Sequence, residues 1–190
     1  MVPPQAAVAE LRQAVQAVRD NRLRWTPETG WHFTLAFMGE VRDPVLPELY
    51  VRLARAAHRT GPFPLRFHGF GHFGDRALWA GAAGGIDAMR MLAERADAAA
   101  RRAGVPMEQH RRYKAHLTLA RSQGAALRPY LDALADFEGT PWQVRELSLI
   151  RSNLPTSGIP GERPRYEVVE AWPLVGDSAE ADADADADDG

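Results

Sequence analysis

The chain contains no cysteine and only one lysine, Lys114, among its 190 residues. Without a thiol, disulfides, thiolate nucleophiles and thiolate metal sites are excluded, as is usual in a reducing compartment. No apolar run reaches the roughly 18 residues that a membrane-spanning helix needs. The start, MVPPQAAVAE, lacks the basic-then-apolar pattern of a signal peptide. These absences predict a cytoplasmic protein that does not associate with a membrane.

Acidic residues are concentrated at the C-terminus, where DSAEADADADADDG holds seven of the 25 acids and no base. The remaining 18 acids face 23 basic residues, so the body carries a net charge of about +5. Nearly all of these cations are arginine, whose planar guanidinium suits bidentate contact with phosphate. We predict one compact domain over residues 1–176 and a disordered, solubilising acidic tail over residues 177–190.

Helix and strand patterns interleave along the body. Apolar residues at helical spacing predict helices over 4–20, 44–59, 86–103 and 127–136. Alternating patterns predict strands over 63–73, 76–82, 142–150 and 165–174, the first two joined through Gly74 and Asp75. Because two junctions connect strand directly to strand, the pattern predicts a mixed α+β fold with antiparallel sheets.

One phrase occurs twice, as HFTLAF at residues 32–37 and HLTLA at residues 116–120. Each copy alternates as a strand does, so one face carries His32 with Thr34, and in the second copy His116 with Thr118. A single His-x-Thr is weak evidence of chemistry. Two copies predict two imidazoles and two hydroxyls meeting across one groove, where they could bind a phosphoryl group and serve as acid and base.

The paired motifs, 84 residues apart, resemble those of the two-histidine (2H) phosphoesterase superfamily, in particular its RNA 2′,3′-cyclic phosphodiesterase branch, also called 2′-5′ RNA ligase-like proteins. The stretches LRWTPETGWHFTLAFMGEV, GFGHFGDRALWAG, RRYKAHLTLAR and RYEVVEAWPL follow that family's order. The resemblance implies a single bilobal α+β domain over residues 1–176, with two antiparallel sheets flanking a central groove and helices packed outside. It normally includes a strand before the Pro-Pro turn, whereas only Met1 and Val2 precede Pro3 here.

The resemblance also implies an activity, the hydrolysis of a terminal RNA 2′,3′-cyclic phosphate to a 2′-phosphomonoester with neither metal nor cofactor. It makes His32 and His116 the catalytic residues, with Thr34 and Thr118 binding phosphate. We take His32 as the acid and His116 as the base, although the spacing leaves this order open. The expected partners are RNA or oligonucleotide ends that carry a cyclic phosphate, and the expected oligomeric state is a monomer.

Four residues in or next to the motifs are considered for phosphate binding or base stacking. Arg121 is predicted to bind phosphate, although strict alternation from His116 puts it on the opposite face of the strand. Phe37 has the same parity problem, which favours packing in the core. Trp31 and Tyr113 are candidates for stacking against a terminal base.

Two other functions stay open on the sequence. One is the joining or cleavage of another small cyclic or 2′-5′-linked diester, because the motifs recognise phosphate and say little about the base. The other is a non-catalytic protein that only holds RNA ends. A metal pair at His68 and His72 is disfavoured, because the glycines and aromatic residues around them predict strand or turn and no nearby carboxylate completes a ligand set.

Overall fold

The computed structural model describes residues 1–108, 113–154 and 164–176. The predicted acidic tail over residues 177–190 lies outside these ranges. Helices are α1 Gln5–Val18, α2 Leu46–His58, α3 Ile86–Arg102 and α4 Arg128–Leu134, with short 3₁₀ turns at Glu28–Gly30 and Asp43–Val45. Strands are β1 Leu23–Trp25, β2 Phe63–Phe73, β3 Ala77–Gly84, β4 Leu117–Ser122, β5 Trp142–Val144, β6 Glu146–Asn153 and β7 Arg165–Pro173. None of the helices in the described ranges is long and apolar enough to cross a bilayer.

The strands form two antiparallel sheets, and this confirms the predicted α+β class. Five strands pair in the order β1-β4-β3-β2-β5, and β6 pairs with β7 in a separate hairpin. Helix α2 contacts α3 and both strands of the hairpin, α3 contacts β2, and α1 packs against α4 and β2. The chain passes from the large sheet to the hairpin at Arg145, which divides the single strand predicted over 142–150 into β5 and β6.

Apolar periodicity explains the helices. Leu11 and Val15 of α1 lie one helical turn apart and are buried, as are Met89, Leu92 and Ala96 of α3. Between the sheets and helices, Phe33 stacks on Phe67 with ring centroids 5.7 Å apart, and both rings are fully buried. These aromatic rings join the first motif to β2 through the core.

The first motif is not a strand, contrary to the prediction. Residues 31–37 have extended backbone at their start but no ladder, and Phe33 instead exchanges two backbone hydrogen bonds with Met1, at 2.9 and 3.2 Å. A strand needs a partner along its length. In the described ranges this segment pairs only at that position, so the alternating sequence does not produce a strand. The three-residue β1 was not predicted either, because it is too short to show a period.

Candidate active site

The second motif places His116 immediately before β4. Its ring meets Phe73 edge-on at 4.8 Å between centroids, and Trp79 at 6.3 Å. Thr118, inside β4, is the register partner of Trp79, so both side chains lie on the same face of the sheet. The Lys114 ammonium lies 4.2 Å above the Trp79 ring centroid. His116 and Thr118 therefore share one face with two aromatic rings and a cation.

The first motif places His32 two residues after the Glu28–Gly30 turn, beside the β6–β7 hairpin. The imidazole lies 5.1 Å from the ring centroid of Tyr166, on β7. Together with Trp31, Ile150 and Val168, these two residues line a pocket of about 140 Å³. Thr34 follows on the same extended segment and is half buried. Tyr166 was missed from the sequence, because nothing in RYEVVEAWPL distinguishes a site residue from any other strand tyrosine.

Both motif histidines make the same local hydrogen bond. Nδ1 of His32 lies 2.9 Å from the Gly30 carbonyl oxygen, and Nδ1 of His116 lies 2.8 Å from the Lys114 carbonyl oxygen. In each case the partner is two residues earlier in the chain. A carbonyl oxygen can only accept, so Nδ1 carries the proton and donates it. Each neutral imidazole is therefore held in the tautomer that leaves Nε2 able to accept a proton.

Burial distinguishes the first imidazole electrostatically. It lowers the pKa of His32 below its usual value of 6.5, because the charged form loses hydration. The hydrogen bond to the Gly30 carbonyl opposes this shift, since it favours the protonated ring. Near neutral pH the balance favours a neutral His32, which is the state that a general base requires.

A glycine lies beneath the aromatic neighbour of each histidine. A Cβ added at Gly71 would come within 2.2 Å of the Trp79 ring, and one at Gly30 within 2.9 Å of the Tyr166 ring. Each ring therefore lies so close to its glycine that a side chain at that position would displace the ring. The absence of a side chain at these two glycines therefore allows Trp79 and Tyr166 to pack beside the imidazoles.

A β-bulge removes the parity objection to Arg121. Thr118 pairs with Trp79 and Ala120 pairs with Leu78, so the register shifts by one residue at Leu119. Both Leu119 and Ala120 are fully buried, and Arg121 is exposed. Because the extra residue reverses the alternation beyond it, Arg121 lies on the same face as Thr118. Strict alternation from His116 placed it on the wrong face.

Three of the aromatic assignments change with the structure. Trp31 is only 4% exposed and packs in the core, so although it lines the pocket beside His32 it has little surface available to a base. Tyr113 is partly enclosed as well, and burial raises the pKa of its hydroxyl. Phe37, expected in the core, is 74% exposed, because the segment carrying it is not a strand and does not follow strand parity.

The histidines outside the motifs have local partners. His68 faces Glu138 at 3.0 Å, and His72 donates from Nδ1 to the Gly74 carbonyl at 2.6 Å. Among the residues that the structure describes, no three His, Asp or Glu side chains are grouped as a metal site requires. His68 and His72 thus have separate partners in the structure.

Pairing of β1 with β4 fixes the direction in which the chain leaves β1 toward the first motif. Trp25 is the register partner of Ala120, and the Thr26 amide donates to the Leu119 carbonyl at 2.8 Å. Beyond Thr26 the chain runs toward the end where β4 begins, and His32 follows six residues later. In the described part of the chain, no ring contact or hydrogen bond joins the two imidazoles directly, and each has its own aromatic neighbour.

Comparison with known proteins gives consistent results. The model of the 2′-5′ RNA ligase superfamily matches residues 2–155. A protein of Aeropyrum pernix called RNA 2′,3′-cyclic phosphodiesterase is 31% identical over 172 residues, which cover 86% of this chain and 95% of the relative. A Geobacillus stearothermophilus protein of the same description is 30% identical over 80% of this chain, which spans only 48% of that relative.

Solved structures agree in fold. A crystal structure of a Thermus thermophilus protein has a TM-score of 0.75 at 28% identity, covering 93% of this chain and 96% of that one. The apo structure of E. coli LigT has a TM-score of 0.73 at 22% identity, covering 90% and 92%, and shows likeness of fold alone. The two sheets thus form the bilobal 2H phosphoesterase architecture, with a groove between them and helices outside. The chain belongs to the 2′-5′ RNA ligase superfamily, as its paired motifs predicted.

Proposed function

We propose that this chain hydrolyses the 2′,3′-cyclic phosphate at an RNA end and leaves a 2′-phosphomonoester. The observation that carries the proposal is that His32 and His116 each donate a hydrogen bond from Nδ1 to the carbonyl oxygen two residues earlier. Two imidazoles fixed in the same tautomer, each preceding a threonine by two residues, supply two proton-transfer groups and two hydroxyl donors. Relatives described as RNA 2′,3′-cyclic phosphodiesterases support the choice of substrate.

In the proposed reaction, water attacks phosphorus opposite the 3′ oxygen. Nε2 of one histidine removes a proton from the water as the new P–O bond forms. The P–O3′ bond breaks, and the second histidine protonates the departing 3′ oxygen, which becomes a hydroxyl. Thr34 and Thr118 donate hydrogen bonds to the non-bridging oxygens, where charge accumulates. Proton transfer between positioned groups accounts for the chemistry without a metal or cofactor.

The lowered pKa of His32 favours the reverse of the acid and base roles that were assigned from the sequence. A histidine that stays neutral near pH 7 is suited to accept the proton of water, and the remaining histidine is then left to donate. We therefore propose His32 as the base and His116 as the acid. Arg121 remains a phosphate-binding residue, since the bulge places it on the face that carries Thr118.

The exposure of the aromatic side chains changes which rings we expect to stack on the terminal base. Phe37 lies five residues after His32 and presents most of its ring to solvent, and Phe73 is 41% exposed beside His116. Aromatic faces of this kind bind unpaired bases with little sequence preference. We propose these two rings, in place of Trp31 and Tyr113, as the surfaces that contact the nucleobases at the RNA end.

The test is to incubate a short RNA ending in a 2′,3′-cyclic phosphate with the protein in the presence of EDTA and to identify the product. A 2′-phosphate is expected. A 3′-phosphate would contradict the direction of ring opening, and dependence on added metal would contradict the mechanism. Joining to a second RNA with a 5′-hydroxyl would favour ligation, and binding without turnover would favour an RNA-end binder.

A further inference from the structure

Lys114, the only lysine of the chain, lies two residues before His116. Its ammonium is 4.2 Å from the centroid of the Trp79 ring and 5.5 Å from that of the Phe73 ring. The same two rings contact the His116 imidazole, at 6.3 and 4.8 Å between centroids. The ammonium and the candidate acid are thus packed against one pair of aromatic rings.

This shared pair of rings limits the distance between the ammonium and the imidazole. The Phe73 and Trp79 centroids are themselves 5.6 Å apart. Together with the distances to each ring, this places the ammonium no more than about 9 Å from the centre of the His116 ring. Two oxygens of one phosphate, each accepting a hydrogen bond from one of the two side chains, span about the same length. One phosphoryl group can therefore contact both Lys114 and His116.

The lysine is restrained at both ends. Its carbonyl oxygen accepts the hydrogen bond from Nδ1 of His116. Its ammonium lies over the indole of Trp79, whose negative face attracts a cation. That indole is itself fixed, because Trp79 is 8% exposed and lies within 2.2 Å of a Cβ added at Gly71. The charge of Lys114 is therefore held in a defined position relative to the imidazole.

The ammonium also keeps its hydrogen-bonding capacity for a ligand. An ammonium has three N–H donors, and an aromatic face does not neutralise its charge. Lys114 is exposed, and within residues 1–108, 113–154 and 164–176 no carboxylate forms an ion pair with it. An anion bound beside His116 thus finds an accessible cation.

We propose that Lys114 is a further phosphate-binding residue of the site, whose ammonium donates a hydrogen bond to a non-bridging oxygen of the cyclic phosphate. The inference rests on the proposed function and adds to it a cation beside the candidate acid. Charge on the non-bridging oxygens grows as water attacks phosphorus, so this contact is stronger in the transition state than in the bound substrate. Lys114 therefore raises kcat and not only the affinity for the RNA end.

The first test measures kcat and KM of Lys114→Met on a cyclic-ended RNA, because methionine still covers the Trp79 ring but carries no charge. We expect kcat/KM to fall roughly 10- to 100-fold, mostly through kcat, as for one lost charge-assisted contact to the reacting phosphate. Lys114→Arg, which keeps the charge, should recover part of the loss. Thermal melting should show that both variants fold, since the side chain is exposed.

Arg102→Gln is the matched control for overall charge, because it removes an exposed arginine from the last turn of α3. Its kinetic constants should equal those of the wild type. An unchanged kcat/KM in Lys114→Met, or an equal loss in Arg102→Gln, would overturn the proposal. A loss confined to KM would overturn the transition-state role.

Selective acetylation tests the phosphate contact independently of catalysis. The chain has only two amines, Nζ of Lys114 and the α-amino group, so mass spectrometry of the acetylated peptides reports on Lys114 directly. A nucleoside 2′-monophosphate should protect Lys114 from acetylation, and the same nucleoside without phosphate should not. Equal protection by both, or by neither, would overturn the contact. A wild-type protein that shows this protection but does not cleave a cyclic end contradicts the proposed function instead.

Discussion

The two copies of His-x-Thr-Leu-Ala have nearly the same sequence but different structures. The second copy continues into β4, within a five-stranded sheet, and its histidine rests on Phe73 and Trp79. The first lies on an extended segment outside any ladder, and its histidine lies under Tyr166 of the β6–β7 hairpin. The feature that survives this difference is the hydrogen bond from Nδ1 to the carbonyl two residues earlier. The motif therefore specifies the orientation of an imidazole more strictly than it specifies a strand.

Removing either imidazole gives the largest expected effect. We predict that His32→Ala and His116→Ala each lower kcat on a cyclic-ended RNA by roughly 10²- to 10⁴-fold, the usual contribution of a positioned acid or base. Thermal melting should show that both variants fold, because neither ring is fully buried. Similar losses at the two sites would mean that the two copies are functionally equivalent despite their different backbones.

His72→Ala is the matched control, since His72 also donates from Nδ1 to a carbonyl two residues away but is exposed and outside both motifs. Its rate should stay close to that of the wild type. If only one of the two motif variants loses activity, the paired mechanism is wrong. The histidine whose replacement leaves the activity intact then has no catalytic role.

Periodicity predicted most of this fold, because the helices and the β2–β3 hairpin bury one regular face. The bounds Ile86–Arg102 and Phe63–Phe73 differ from the predicted ones by no more than one residue. The errors occur where pairing decides the structure. A pattern cannot show whether a partner strand exists, so HFTLAF was predicted as strand and Phe37 as core. Nor can it show a bulge, so Arg121 was counted onto the wrong face.

The candidate site was predictable only in part. The repeated phrase identified both histidines and both threonines, and their roles in the reaction remain predictions. Tyr166 and Trp79 come to the imidazoles from strands that are distant in the sequence, and only the tertiary structure reveals these ring contacts. Burial, which reverses the proposed order of acid and base, likewise arises from the hairpin and not from the motif.

Replacing Gly71 or Gly30 by alanine should lower the free energy of unfolding by different amounts, because the aromatic ring above each glycine differs in its freedom to move. Gly71→Ala places a methyl group 2.2 Å from Trp79, which is 8% exposed and has little freedom to move, so we expect a loss of about 1–3 kcal/mol. Gly30→Ala meets the Tyr166 ring at 2.9 Å, but that ring is 37% exposed and can swing outward. We expect it to cost less than about 1 kcal/mol, measured by urea denaturation.

Gly61→Ala serves as the control, because its added Cβ would make only an ordinary contact of 3.8 Å with Gly176. Neither Gly30 nor Gly71 has a positive φ, so backbone strain does not enter the comparison. A larger loss for Gly30→Ala than for Gly71→Ala would mean that Tyr166 is held more tightly than its exposure indicates.

The smallest expected effect is a shift in the pH profile, and it tests the burial that distinguishes the first histidine from the second. If His32 is the base, kcat/KM falls with decreasing pH as His32 becomes protonated, and its lowered pKa places this acidic limb below pH 6.5. Tyr166→Ala removes the ring beside the imidazole, so hydration of the charged form improves and the pKa rises toward 6.5. The acidic limb should therefore move to higher pH. Tyr166→Phe keeps the ring and should leave the limb in place. If Tyr166→Ala also leaves it in place, the limb belongs to another group, and His116 becomes the better candidate for the base.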